Sequence, residues 1–421
     1  MGSAEELGSG VKTAEVTTGK PHFVVLDGLR GVAAVGVVAF HFMEMVIWNY
    51  SKLRLGHGWL AVDFFFCLSG FVMGYAYDDR VGKMGLGKFL KARLIRLHPL
   101  VVLGTVLGLI AFYANPFGVT PGYGPGKMAL IVAASLLMIP YGVITQRSQN
   151  LFSLNAPAWS LFWEYVANLV FAVVLYRVKR NVLVVLTVAA AVLLCWVGHR
   201  AGNLSGGWSA RNFWDGGARV AFSFMAGLLV YRMGWRLRTR LGFGWLSILL
   251  VLALIMPYAT GGWVREAAVI IIYFPLLVVL GAGAAVSPRV ERLCKFSGDL
   301  SYPLYMTHYS VIWIWGDFAE KHKLATAGLL PAATCGVITM MAFACIVMVA
   351  YDKPVRAYLR AKWRVERRLQ ASAVAILFPT LIPCHPERSS SRTLRATQSK
   401  DLRLSLLLCL RRFSVPIEPT D

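Results

Sequence analysis

At least nine separate apolar runs of about 16 to 23 residues punctuate residues 28–351, and nothing constrains the fold more. A helix rises about 1.5 Å per residue, so some 20 apolar residues cross a hydrocarbon core of about 30 Å. In lipid every backbone N–H and C=O must be bonded within the protein, which leaves helices or closed barrels. The runs lack the two-residue alternation of barrel strands, so the chain is expected to be all-α and polytopic. The charged fraction agrees: 15% of the 421 residues, against about 25% in a soluble domain.

Ten spans are expected, at roughly 28–48, 59–77, 97–114, 158–176, 182–198, 213–231, 245–260, 267–285, 299–315 and 329–351. An eleventh apolar piece, 128–139, is short and stops at Pro140. The positive-inside rule decides its role. If it spanned, the clusters Arg177-Lys179-Arg180 and Arg232-Arg236-Arg238-Arg240 would face out. If it is a re-entrant or surface helix, they face in together with the loop 78–96, and both termini are cytoplasmic. The organisation is then a cytoplasmic tail 1–26, a membrane domain 27–352, and a basic, disordered cytoplasmic tail 353–421. The net charge of +22 is thereby explained as topology, and no nucleic-acid partner is expected. The seven cysteines form no CxxC pair, so neither a metal site nor a disulfide framework is expected.

Ionisable residues inside spans are costly and usually functional or paired. Arg30 and His41 are separated by eleven residues in the first span. That places them on nearly one face, roughly 16 Å apart along the axis. His41, Asp63, Glu164, Arg219 and His308 come from five spans at similar depth, in the outer half or near the midplane, which points to one polar cavity. Arg93 and Arg96, three apart at the cytoplasmic start of the third span, share a helical face; two guanidinium forks there suit phosphate.

Five pieces in order resemble the integral-membrane acyltransferase-3 family, bacterial enzymes that O-acylate surface carbohydrates and some small molecules. They are Arg30-x10-His41, VDFFFCLSGF (Val62 to Phe71), Arg93-x-x-Arg96, WSLFWE (Trp159 to Glu164) and GDLSYPLYMTH (Gly298 to His308). The resemblance spans about 27–352. It implies an acyl-CoA donor, acetyl-CoA first among them, bound from the cytoplasm, and a carbohydrate or glycolipid hydroxyl accepted at the other face of the bacterial inner membrane. On that footing His41 is the expected general base, with Asp63 or Glu164 orienting it and Arg219, His308 or backbone amides as oxyanion donors. Arg30, Arg93 and Arg96 would hold the donor's phosphates, and Trp159, Ser160 and Arg219 would contact substrate. Some relatives in the family carry an extracytoplasmic esterase-like domain after the membrane core; the short basic tail predicts none here. A proton-coupled transporter, or a flippase-like component without chemistry, would use similar buried groups.

Overall fold

The computed structural model describes residues 22–47, 49–119, 122–324 and 328–377. Among these, regular structure is helical, with two isolated single-residue bridges and no strand. The helices are α1 (Val24–Glu44), α2 (Ala61–Tyr77), α3 (Leu86–Tyr113), α4 (Pro125–Leu136), α5 (Ala158–Val173), α6 (Arg180–Ala201), α7 (Phe213–Arg232), α8 (Phe243–Leu254), α9 (Trp263–Gly283), α10 (Pro288–Lys321), α11 (Leu329–Val347) and α12 (Lys353–Leu377). The protein is an all-α polytopic membrane protein. Six segments are long and apolar enough to cross a bilayer: those of α1, α2, α3, α6 and α9, and the continuous run that begins with α11.

The other four expected spans also fall on helices, each with a reason for missing that standard. α5 and α8 have 16 and 12 residues. The expected span 245–260 shrinks to α8 because Pro257, Gly261 and Gly262 end the helical run. α7 carries Asp215, Arg219 and Arg232, and α10 begins with charged turns before its apolar stretch. The piece 128–139 is the separate helix α4; at 12 residues it is about 18 Å long, too short to span alone.

α1 lies along α10, and α2 along α7. The second contact is backbone to backbone. A methyl group added at Gly70 would sit 1.9 Å from the carbonyl oxygen of Phe224, and one at Gly227 would sit 1.9 Å from that of Cys67. Without a hydrophobic force between helices in lipid, such small-residue contacts supply the packing. Arg232 at the end of α7 clamps the same pair. It donates to Asp78 at 2.6 and 2.9 Å and caps the carbonyls of Leu175 and Val178. Elsewhere in the bundle buried Glu266 of α9 accepts from the Leu204 N–H at 2.5 Å and lies 3.4 Å from His57, tying the α6–α7 and α1–α2 connections to that helix.

α11 continues through a π-helical turn (Met348–Asp352) into α12. The basic segment expected to be a disordered tail therefore begins as a helix. Its alternation of Arg and Lys with Val, Tyr, Leu and Trp over 353–369 is helical in period, which the low-complexity reading of the later tail obscured. Residues 378–421 lie outside the described residues, as do 1–21 of the N-terminal tail. The compact unit that carries the site ends at Arg360.

Candidate active site

A cavity of about 580 Å³ opens at a basic mouth and runs inward between α1, α2, α3, α5 and α10. Arg30, Arg93 and Arg96 all line it, as do Ser160 and Glu164. The i, i+3 spacing of Arg93 and Arg96 on α3 thus brings both to the same wall. Their surroundings differ. Arg30 is largely engaged: it donates to Ser301 Oγ at 2.9 Å and to the Gly298 carbonyl at 2.7 Å, and lies 3.5 Å from Asp27. Arg93 is 3% exposed and donates from one nitrogen to Glu164, at 2.9 Å. Its Nε and second terminal nitrogen are buried with no partner in the protein. Glu164 also accepts from Ser69 Oγ at 3.1 Å, so the carboxylate is braced from α2 and α3. At the mouth, Lys295 pairs with Glu291 at 2.5 Å, and its hydrogen bond holds that exposed carboxyl below the usual range.

His41 and His308 meet in a second centre. Their rings stack with centroids 5.4 Å apart at 27°, and the Tyr309 ring stands edge-on to His41 at 4.9 Å. The tautomer of each follows from its partners. His308 Nδ1 faces the carbonyls of Tyr305 (2.8 Å) and Leu304 (3.2 Å), so it carries the proton; the buried Nε2 has no partner. His41 Nδ1 is hydrogen-bonded to Glu44, one turn along the same helix. A carboxylate can only accept, so Nδ1 again carries a proton, and in the neutral ring Nε2 keeps its lone pair. Two imidazole rings thus lie side by side, each with Nδ1 held by its own helix.

Neither carboxylate expected beside His41 is there. Asp63 is bound to Arg219, Oδ2 to Nη2 at 2.6 Å, with both side chains 0% exposed. Arg219 also donates to the carbonyls of Gly206 (2.7 Å) and Trp59 (3.0 Å), and its guanidinium lies 5.3 Å from the Trp159 ring centre. Asp63, Arg219 and Trp159 therefore form a closed joint between α2, α5 and α7. Four of the five N–H donors of Arg219 are used inside the protein, leaving one on Nη1, and Glu164 accepts from both Arg93 and Ser69 through Oε1. The expectation of one polar centre is replaced by three: the arginine-lined cavity, the histidine pair, and this joint. A depth counted along each span says nothing about which face of its helix a side chain occupies.

Two residues escaped the sequence reading. Glu44 was visible as an i, i+3 partner of His41, but it lies near the end of the run, where a charge looks interfacial. Tyr305, inside GDLSYPLYMTH, lines the cavity with its hydroxyl on Ser160 Oγ at 2.7 Å. Among the described residues no cluster of His, Cys, Asp and Glu has the makings of a metal site.

The described residues thus form an all-helical membrane bundle with an arginine-lined cavity and, beyond its inner end, a pair of imidazoles. The chain belongs to the acyltransferase-3 family: the family's acyltransferase domain matches residues 23–349, and the protein is an acyltransferase. It is 40% identical over 186 residues to "Protein 2 in picA locus" of Rhizobium radiobacter, a match covering 41% of this chain and 93% of that protein. It is 30% identical over 165 residues to "Acyltransferase MdmB" of Streptomyces mycarofaciens, covering 37% of this chain and 40% of that one. No solved structure matches the chain significantly. Family membership sets aside the transporter and flippase alternatives.

Proposed function

We propose that the protein transfers an acyl group, acetyl in the first instance, from cytoplasmic acyl-CoA to a hydroxyl of a carbohydrate or glycolipid at the extracytoplasmic face of a bacterial inner membrane. The observation that carries this reading is the cavity itself. It begins among Arg30, Arg93 and Arg96 and runs to Ser160 and Tyr305, one ring away from His308. The orphaned, buried nitrogens of Arg93 fit an anionic ligand: in a low-dielectric site they call for an acceptor that the protein does not supply. Phosphate or pyrophosphate oxygens of CoA are such acceptors, and guanidinium forks suit them.

His41 is the general base. Glu44 holds its Nδ1–H, which fixes the ring and leaves Nε2 to take the hydroxyl proton. The hydroxyl oxygen then attacks the thioester carbonyl. A C–O bond forms, the C–S bond breaks, and the proton passes from His41 to the departing CoA sulfur. The basic segments support a cytoplasmic mouth for the cavity. The 16 Å or so from Arg30 to His41 matches the reach a pantetheine arm has to bridge.

The test uses purified full-length protein in nanodiscs with acetyl-labelled acetyl-CoA. Wild type is expected to bind CoA and to cleave the thioester. His41→Ala should keep binding and lose cleavage. Arg93→Glu with Arg96→Glu should lose binding. Cleavage that survives in His41→Ala removes His41 from the chemistry, and unchanged CoA affinity in the arginine variant leaves those residues as topology anchors.

A further inference from the structure

The cavity stops short of the histidines. Its inner end is lined by Phe65, Ser160 and Tyr305, and His308, 0% exposed, lies behind the Tyr305 ring at a centroid distance of 5.9 Å. Phe65 meets the same ring edge-on at 5.5 Å. The wall is thus one aromatic layer thick, contributed by α2 and α10.

That layer is held by a single side-chain hydrogen bond. Ser160 Oγ donates to the Pro157 carbonyl at 2.9 Å, and a hydroxyl has only one proton. The proton between Ser160 and Tyr305 therefore belongs to the tyrosine, which donates to Ser160 Oγ. Breaking this bond removes the only side-chain hydrogen bond of the Tyr305 hydroxyl among the described residues, which leaves ring packing against Phe65 and His308 to hold it. Phe65 is different: its ring occupies the space beside the wall whether or not the bond is made.

We propose that Phe65 and Tyr305 form a movable wall that selects the acyl group passed from the cavity to the His41–His308 pair. Tyr305, latched to Ser160, keeps the thioester from the histidines until it turns aside. Phe65 limits the length of acyl chain that fits once it has turned. The inference rests on the reading that the cavity holds acyl-CoA, and it adds residues that decide which acyl-CoA reacts. Discrimination by bulk in an apolar pocket is worth about 10- to 200-fold per methylene-sized change. A ring is larger, so its loss has a readable effect.

The experiment compares wild type with Phe65→Ala, Phe65→Leu and Tyr305→Phe, each full-length in nanodiscs. Three quantities are read: CoA binding, release of CoA thiol from acetyl-CoA and octanoyl-CoA, and carbethoxylation of His308 by diethyl pyrocarbonate located by mass spectrometry. In Phe65→Ala the octanoyl-to-acetyl ratio is expected to rise about 10-fold or more, and His308 is expected to become modified, with protection restored by added CoA. Phe65→Leu should show the same changes to a smaller degree and guards against a folding failure of the alanine variant. Tyr305→Phe should raise hydrolysis of acetyl-CoA several-fold at an unchanged chain-length ratio. If CoA binding is intact in all variants while the ratio and His308 protection stay at wild-type values, the wall is refuted and the acyltransferase reading stands. If wild type itself neither binds nor cleaves acyl-CoA, both are overturned.

Discussion

Removing the charge of Asp63 without changing its shape separates a structural role from a catalytic one. In Asp63→Asn the carboxylate that meets Arg219 at 2.6, 3.2 and 3.2 Å becomes a neutral amide, and the guanidinium, 0% exposed, is left without its counter-charge. Breaking a buried pair from one side costs about 3–5 kcal/mol, because the stranded charge keeps its desolvation penalty while losing its Coulomb partner. The carbonyls of Gly206 and Trp59 still accept from Arg219, which places the expected loss toward the lower end of that range. For a bundle of this size about 2 °C of thermal midpoint per kcal/mol gives a drop on the order of 5–10 °C. The assay is thermal unfolding in nanodiscs followed by fluorescence, with acyl-CoA cleavage measured well below the transition. Asp63→Asn is expected to melt early yet retain cleavage per folded molecule. Replacing both partners by leucine should cost less than the two single losses added together, since residues in one ion pair are coupled by about 0.5–3 kcal/mol. An Asp63→Asn protein that melts with wild type but has lost its cleavage would refute the reasoning and return Asp63 to the chemistry.

Glu44→Gln should lower acyl-CoA cleavage by about 100-fold or more at unchanged CoA affinity, because the base loses the group that fixes its tautomer; Glu44→Asp should recover part of it, measured as kcat against donor Kd. Arg93→Lys keeps the positive charge but loses the planar fork, so CoA affinity should fall about 10-fold by titration calorimetry while membrane insertion is unaffected. Gly227→Ala drives a methyl group to within 1.9 Å of the Cys67 carbonyl and should destabilise the bundle by about 1–3 kcal/mol, read as a lower thermal midpoint with CoA affinity retained.

Helix content and the order of the helices were legible because lipid leaves the backbone so few choices. Each expected span meets a helix, and α4 stands apart as its length and Pro140 foretold. The errors sit where a span was measured by apolarity alone. Residues 255–260 are apolar enough to be counted with 245–254, but Pro257 and the glycines after it end the helix. The cavity was expected among a different set of residues, but the shared wall of Arg93 and Arg96 was legible from spacing, because they are neighbours on one helix and the i, i+3 rule fixes their common face. The partners of Asp63 and Glu164 were not, because they depend on how each helix is rotated about its axis. That rotation is set by packing such as the reciprocal contact of Gly70 and Gly227, which a single sequence does not report.

Burial alone does not distinguish the functional charges from the structural ones; counting donors does. Arg219 and Arg93 are almost equally enclosed, at 0% and 3% exposure, and each faces a carboxylate from a neighbouring helix. The guanidinium of Arg219 meets a carboxylate, two carbonyls and an indole face, and its charge is answered inside the protein. Arg93 meets one carboxylate oxygen and keeps two nitrogens unbonded beside a cavity. An unmade hydrogen bond in so dry a place costs about 1–3 kcal/mol. The same holds for His308, whose proton is committed to two carbonyls while its other nitrogen has no partner. Unanswered groups therefore lie at both ends of the path from the basic mouth to the histidines, on an arginine that lines the cavity and on an imidazole just behind its inner wall. The Asp63–Arg219 pair lies to one side of it. The proposed reaction would use both ends, an anion held by the arginine and a proton moved at the imidazole.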